Sequence, residues 1–241
     1  MNKIIYTFLC SFIAFSFLGS ATAATLTGDY QFDSDLTDSL GGPSLVASGG
    51  SVSGGRYIFA PNQGLRLTGG ITDTSNYSIE FSAEYDSLTT NPNWVKMVDL
   101  NNLSTEIGLY LRGRRLLFYD QSSTGSLFIT PNIDFHVVLS RDASGQTDGY
   151  INGILQWTFN DPASIASNIL NFFEDDLGLQ REAQSGSVDF IRIYDGALTA
   201  TEVEILAQGG SIGGGNPIPE PATMMLFGLG LIGLAGVSRK K

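Results

Sequence analysis

Cysteine is nearly absent. The 241 residues contain one, Cys10, and it falls in an apolar N-terminal run. If that run is removed as an export leader, disulfides, thiolate metal sites and a cysteine nucleophile are all excluded, so packing or a bound ion must supply stability. Histidine is as scarce, His136 alone, which excludes a histidine pair for metal ligation or for nucleophile activation. Set among Phe135, Val137 and Val138, it reads as a packed or strand-face residue. Basic residues are few, thirteen against twenty-four acidic, for a formal net charge of −11. Setting aside Lys3, Glu220 and the last three cations, the span 24–216 holds nine basic and twenty-three acidic residues, a net charge of −14. Phosphate binding needs a basic face, so the balance argues against a nucleic-acid partner. The same carboxylates keep an exported protein soluble and are the oxygen ligands that divalent cations require.

The two ends of the chain are where long apolar runs occur. Lys3 gives a short basic start, residues 4–18 are apolar, and Ala21-Thr22-Ala23 is a small-x-small cleavage site, which predicts a signal peptide over 1–23 and a mature chain beginning at Ala24. Leu9 occupies the position before Cys10 where a lipoprotein signal has a small residue. At the other end Pro217, Ile218, Pro219, Glu220 and Pro221 make a stiff elbow, residues 222–237 are apolar or small, and Arg239, Lys240 and Lys241 follow. Sixteen residues make a helix of roughly 24 Å, a marginal transmembrane span, and the basic cluster holds that end in the cytoplasm while the rest is exported. Proline-glutamate-proline, apolar helix and basic cluster together closely resemble the PEP-CTERM sorting signal of bacterial exported proteins. The resemblance implies recognition of Pro219, Glu220 and Pro221 by an exosortase-type processing protease and delivery to the cell surface, with transient anchoring in the membrane.

Between the ends, short β-rich runs alternate with Gly, Asn, Asp, Ser and Pro, the pattern of a sandwich. The runs fall at 28–33, 56–60, 64–68, 77–85, 94–100, 106–111, 115–120, 126–130, 135–141, 147–151, 154–159 and 187–194. Tyr77, Ile79, Phe81, Ala83 and Tyr85 alternate with Ser78, Glu80, Ser82 and Glu84, which predicts one buried and one wet face. Asn152-Gly153 reads as a type I′ hairpin turn, and a second hairpin turns at Ser144-Gly145. One helix is expected, opened by the capping box Thr199-Ala200-Thr201-Glu202, with Val203, Leu206 and Ala207 on its apolar face. Gly209, Gly210 and Gly213 to Gly215 follow as a linker, so the domain is expected to occupy 24–208, the linker 209–216 and the sorting tail 217–241.

Several of these pieces resemble the laminin G-like, concanavalin A-like jelly-roll family. They are Tyr30-Gln31-Phe32-Asp33, Tyr77-Ser78-Ile79-Glu80-Phe81, Phe135-His136-Val137-Val138 with Arg141-Asp142, Tyr150-Ile151-Asn152-Gly153, and Asp189-Phe190-Ile191-Arg192-Ile193-Tyr194 with Leu198 and Glu202. The resemblance implies an all-β antiparallel jelly-roll sandwich closed by one short C-terminal helix. Joined to the sorting signal, it implies a surface-delivered binding or matrix protein, lectin-like toward exopolysaccharide or other glycans. The alternatives are a secreted glycan hydrolase and a purely structural matrix component.

Candidate chemistry is sparse. Gly228-Leu229-Gly230-Leu231-Ile232-Gly233 matches G-x-G-x-x-G but lies inside the apolar tail with no preceding strand, so it serves helix packing rather than phosphate binding. Glycosidases need two carboxylates across a cleft. Glu84 with Asp86, and Glu174 with Asp175 and Asp176, are the nearest approaches, and neither reproduces the three-carboxylate strand of concanavalin-like glucanases, so no catalytic residue is assigned. Aromatic rings can stack sugars. Trp94, after Asn91-Pro92-Asn93, stands at a loop–strand junction and reads either as core or as a ligand platform; Trp157, alternating with Leu155 and Phe159, reads as core. Asp33, Asp35 and Asp38 lie within six residues and are the candidate calcium ligands, with Asp175 and Asp176 as a second cluster.

Overall fold

The structure is a computed structural model that describes residues 23–88, 94–119, 121, 124–161, 166–178 and 180–212. The leader 1–22, including Cys10, and the tail with Pro219, Glu220 and Pro221 lie outside the described residues. In chain order the strands are β1 (Thr25–Tyr30), β2 (Val46–Ala47), β3 (Ser51–Ser53), β4 (Arg56–Phe59), β5 (Leu65–Thr68), β6 (Tyr77–Tyr85) and β7 (Trp94–Asp99). They continue as β8 (Gly108–Arg112), β9 (Arg115–Tyr119), β10 (Phe135–Arg141), β11 (Gln146–Ile151), β12 (Ile154–Asn160), β13 (Ile169–Phe172) and β14 (Gly186–Asp195), and α1 (Ala200–Ala207) closes the series.

Two antiparallel sheets face one another. The first runs β12-β11-β10-β6-β14-β4-β3, with β1 also paired to the far end of the long β14; the second runs β2-β5-β13-β7-β8-β9. Period-two alternation sends one set of side chains from each sheet into a shared core. Ile79, Phe81, Ala83 and Tyr85 of β6 meet Val95, Met97, Val98, Leu109, Leu111, Leu116 and Phe118 of the second sheet there, with Phe59 and Phe173 stacked at 4.5 Å between ring centres. The Asn152-Gly153 turn has positive φ at both residues, 50° and 80°, as a type I′ hairpin requires.

The wet face expected for β6 is a point of correction. Ser78 and Glu80 are fully buried. Outside the first sheet, Leu198 and, from α1, Val203 and Leu206 pack against Val138, Tyr150 and Tyr194. Ser78 Oγ donates to the Gly196 carbonyl at 3.0 Å and accepts from the Leu198 amide at 2.9 Å, which ties the entry to the helix onto the sheet. Glu80 accepts from the Tyr194 hydroxyl and meets His136 Nε2 at 2.8 Å and Arg192 at 3.5 Å. A carboxylate can be buried this way because a hydroxyl donor and a guanidinium meet it there.

Residues 126–130, expected as a strand, form none. Instead, the Gln156 side-chain oxygen accepts from the amides of Ser126 and Leu127, at 3.0 and 2.9 Å, and replaces the ladder. In the opposite direction, β13 holds the middle of the second sheet although its four residues carry no alternating pattern. Among the described residues no helix is long and apolar enough to cross a membrane.

Candidate functional site

The outward face of the second sheet gathers most of the chemistry-bearing residues. Cross-strand register aligns Trp94 of β7 with Arg112 of β8 and Arg115 of β9, and the next row aligns Lys96, Tyr110 and Leu117. Trp94, Tyr110 and Tyr119 form a triangle of rings with centroids 5.7, 5.9 and 5.9 Å apart, edge-on or tilted as their quadrupoles prefer. Trp94 and Tyr119 are partly exposed while Tyr110 is buried, so the triangle reaches the surface from an anchored base. The Arg112 guanidinium stands 4.7 Å from the Trp94 ring centre.

Beneath the aromatic edge lies a charged layer organised around Lys96, which is fully buried. Residues three apart on a regular strand point to opposite faces, yet Lys96 Nζ and Asp99 Oδ2 are 3.0 Å apart. A β-bulge between Lys96 and Val98 sends Met97 and Val98 both into the core and leaves Lys96 and Asp99 both facing outward. Asp99 Oδ1 also accepts from the amides of Asn101 and Leu103, at 3.0 and 2.7 Å, and Lys96 Nζ reaches the Thr105 carbonyl at 3.4 Å. Glu106 accepts from the Tyr110 hydroxyl at 2.5 Å and lies 3.9 Å from Lys96.

The loop after β13 brings more acid to the same place. The carboxylate oxygens of Glu106, Asp175 and Asp176 all lie within 4.8 Å of one another, the oxygens a hard cation would take. Asp175 is already engaged, accepting from the amides of Asp176 at 2.9 Å and Glu182 at 2.8 Å, and the Lys96 amide donates to the Glu182 carbonyl at 2.7 Å. Burial, then the charges of Asp175 and Glu106, push the Glu182 carboxyl up to about 7. A hydrogen bond with Asp176, then burial, raises that of Glu106, and burial raises the Tyr110 hydroxyl. Carboxylates crowded in a low-dielectric layer with one ammonium between them cannot all ionise without cost.

The other residues singled out in the sequence lie elsewhere. Asp33 and Asp35 are exposed, and Asp35 Oδ1 accepts from both the amide and the hydroxyl of Thr37, bonds that hold its carboxyl below the usual range. Asp38 is buried and accepts from the amides of Asp29, Leu40 and Gly42 at 2.8, 3.0 and 2.9 Å, so its oxygens shape the loop. The three are not brought together as ligands among the described residues, where the convergent group is Glu106, Asp175 and Asp176. Glu84 accepts from the Ser187 hydroxyl at 3.0 Å, and Trp157 packs in the core. Lys96, Asp99, Glu106 and Glu182 escaped the sequence reading. Lys96 had one visible signal, a lysine in an otherwise apolar run of β7.

The tail and the fold can now be set beside known proteins. A family model described as the PEP-CTERM protein-sorting motif matches residues 217–240. This chain carries a PEP-CTERM sorting signal. That signal implies export and sorting to the cell envelope. No curated protein matches the chain in sequence. Among solved structures, domain 4 of AbnA, an extracellular arabinanase from Geobacillus stearothermophilus solved in complex with arabinotriose, is similar with a TM-score of 0.60 and 22% identity, over 78% of this chain and 100% of that one. The binding domain of botulinum neurotoxin serotype G is similar with a TM-score of 0.57 and 17% identity, over 76% of this chain and 51% of that one. Trypanosoma rangeli sialidase, in complex with 2,3-difluorosialic acid, follows with 0.61 and 13%, over 76% and 32%. At these identities the likeness is one of fold. The chain shares with them an all-β sandwich of antiparallel sheets, closed here by one short C-terminal helix.

Proposed function

We propose that this chain is an exported glycan-binding protein of the cell surface or extracellular matrix, which stacks sugar rings on the partly exposed Trp94. The observation that carries the reading is the position of Trp94. It lies on a sheet's outward face, outside the hydrophobic core, and is braced edge-on by Tyr110 and Tyr119. An indole held that way is rigid before a ligand arrives, so stacking costs little side-chain entropy. Similar structures include a toxin binding domain and a sialidase, so the same fold serves binding proteins and glycan-processing ones. In this reading a leader over 1–23 is removed, 24–208 is the binding domain, 209–216 is a linker and 217–241 spans the membrane until an exosortase acts at Pro219, Glu220 and Pro221.

The test is a polysaccharide panel against the purified protein, scored for retention and for cleavage, with Trp94→Ala in parallel. Loss of a stacked ring should weaken binding about tenfold or more, the equivalent of ~1.4 kcal/mol, at a temperature where the variant is folded. Cleavage of any chain would move the protein to the hydrolase class. Unchanged retention by Trp94→Ala would remove the indole from the site, and no retention of any glycan would leave a structural matrix role.

A further inference from the structure

We propose that the tip of the β8–β9 hairpin, Arg112-Gly113-Arg114-Arg115, binds an acidic polysaccharide bearing carboxylate or sulfate groups. This deepens the glycan-binding reading, on which it rests, by naming the class of glycan.

The span 24–216 has nine basic residues for twenty-three acidic ones, and three of the nine fall within these four positions. Within that strongly acidic span the hairpin is therefore the one dense cationic point. Among the described residues its charge is not spent in ion pairs. The ion pairs of the described residues use Arg56, Lys96, His136 and Arg192, and no described acid pairs with Arg112, Arg114 or Arg115. None of their guanidinium N–H groups makes a hydrogen bond among the described residues, and Arg115 Nε is a buried donor without an acceptor. Arg112 and Arg115 stand directly opposite one another in the ladder, a like-charge pairing that works against the hairpin. The turn adds a second cost. Gly113 and Arg114 occupy its two central positions with φ of 57° and 65°, a geometry that suits glycine or asparagine and disfavours arginine. Fold stability alone explains neither the repulsion nor the strain. An anion between the guanidiniums would relieve the first and give the second a purpose.

Neighbouring rings shape the patch for a sugar acid. Arg115 lies 3.9 Å and Arg114 5.5 Å from the centre of the Phe128 ring, which is 53% exposed, and Arg112 lies over Trp94. Stacking orders the guanidinium planes and leaves their edges for bidentate pairing with a carboxylate or sulfate. Trp94 and Arg112 are cross-strand partners, so a sugar ring on the indole sets an anionic group of the same chain at the hairpin. A duplex nucleic acid suits the site less well, because its dense phosphates would meet the acidic remainder of the protein.

The experiment measures binding of the purified protein to polygalacturonate, to its methyl ester and to dextran sulfate, by biolayer interferometry at about 50 and about 300 mM sodium chloride. Duplex DNA and phosphatidylglycerol vesicles serve as competing polyanions. The expected result is that one or both acidic chains bind at least about tenfold tighter than the uncharged ester, that high salt removes the advantage, and that Arg112→Gln with Arg115→Gln abolishes it. Arg114→Gly should weaken acidic-chain binding while raising the melting temperature by about 2 °C, since glycine relieves the turn; a merely structural residue would not separate the two readouts. Neutral glycans retained through Trp94, with no gain from charge and no effect of the arginine substitutions, would overturn the hairpin site and leave the glycan-binding reading intact. Failure of every glycan, charged or not, would overturn both. Equal or tighter arginine-dependent binding of DNA or vesicles would overturn the assignment to a polysaccharide.

Discussion

Burial and the charges of Asp175 and Glu106 hold the Glu182 carboxyl at about 7, with Lys96 pulling the other way. An unfolded glutamate titrates near 4.5, so between those values the native protein keeps a proton that the unfolded chain has released. Stability from this group is therefore full below the lower value and is lost as pH rises toward the upper one. The raised carboxyls of Glu106 and Glu174 add in the same direction. Thermal melts should show the protein more stable at about pH 5 than at about pH 8, with the difference reduced in Glu182→Gln. A wild-type melting temperature that climbs over that range would contradict the crowded-carboxylate account. Trp94 was readable as a junction residue from Asn91-Pro92-Asn93, but its ring partners Tyr110 and Tyr119 are distant in sequence and become neighbours only through strand pairing.

At the scale of elements, α1 is the clearest case of local sequence deciding structure. The Thr199 hydroxyl accepts from the Glu202 amide at 3.3 Å and Glu202 returns the bond to the Thr199 amide at 2.8 Å, so the capping box written in the sequence is complete. Thr199→Ala should cost about 1 kcal/mol in chemical denaturation while glycan retention stays unchanged. A lost ligand at unchanged stability would show that the helix belongs to the binding surface. The short strands were less readable. β13 has four residues, of which Leu170, Asn171 and Phe172 are buried, so both of its faces are covered and it lacks the polar alternation that marks a half-wet strand. The bulge in β7 has no sequence signature either, and without it Lys96 and Asp99 would lie on opposite faces.

For the whole molecule the governing features are two chemically distinct ends around one sandwich. With export and sorting as proposed, mass spectrometry of envelope fractions should find Ala24 as the first residue, and Glu220→Ala should leave uncut precursor in the membrane. Tail removal unaffected by Glu220→Ala would refute recognition of the proline-flanked glutamate. What the sequence determined by itself was whatever depends on near neighbours in the chain: the sorting motif at 217–240, the strand period of β6, the Asn152-Gly153 turn and the cap of α1. Each is a preference of a few consecutive residues for one backbone geometry or one recognition pattern. Only the tertiary structure decided which faces are wet and which charges meet. Ser78 is covered because the approach to α1 folds back across the sheet, and Glu106 and Glu182 meet Lys96 from two loops far apart in the chain, with Asp175 and Asp176 beside Glu106. Such long-range juxtapositions depend on strand order, register and a bulge, and pair preferences between consecutive residues do not encode them.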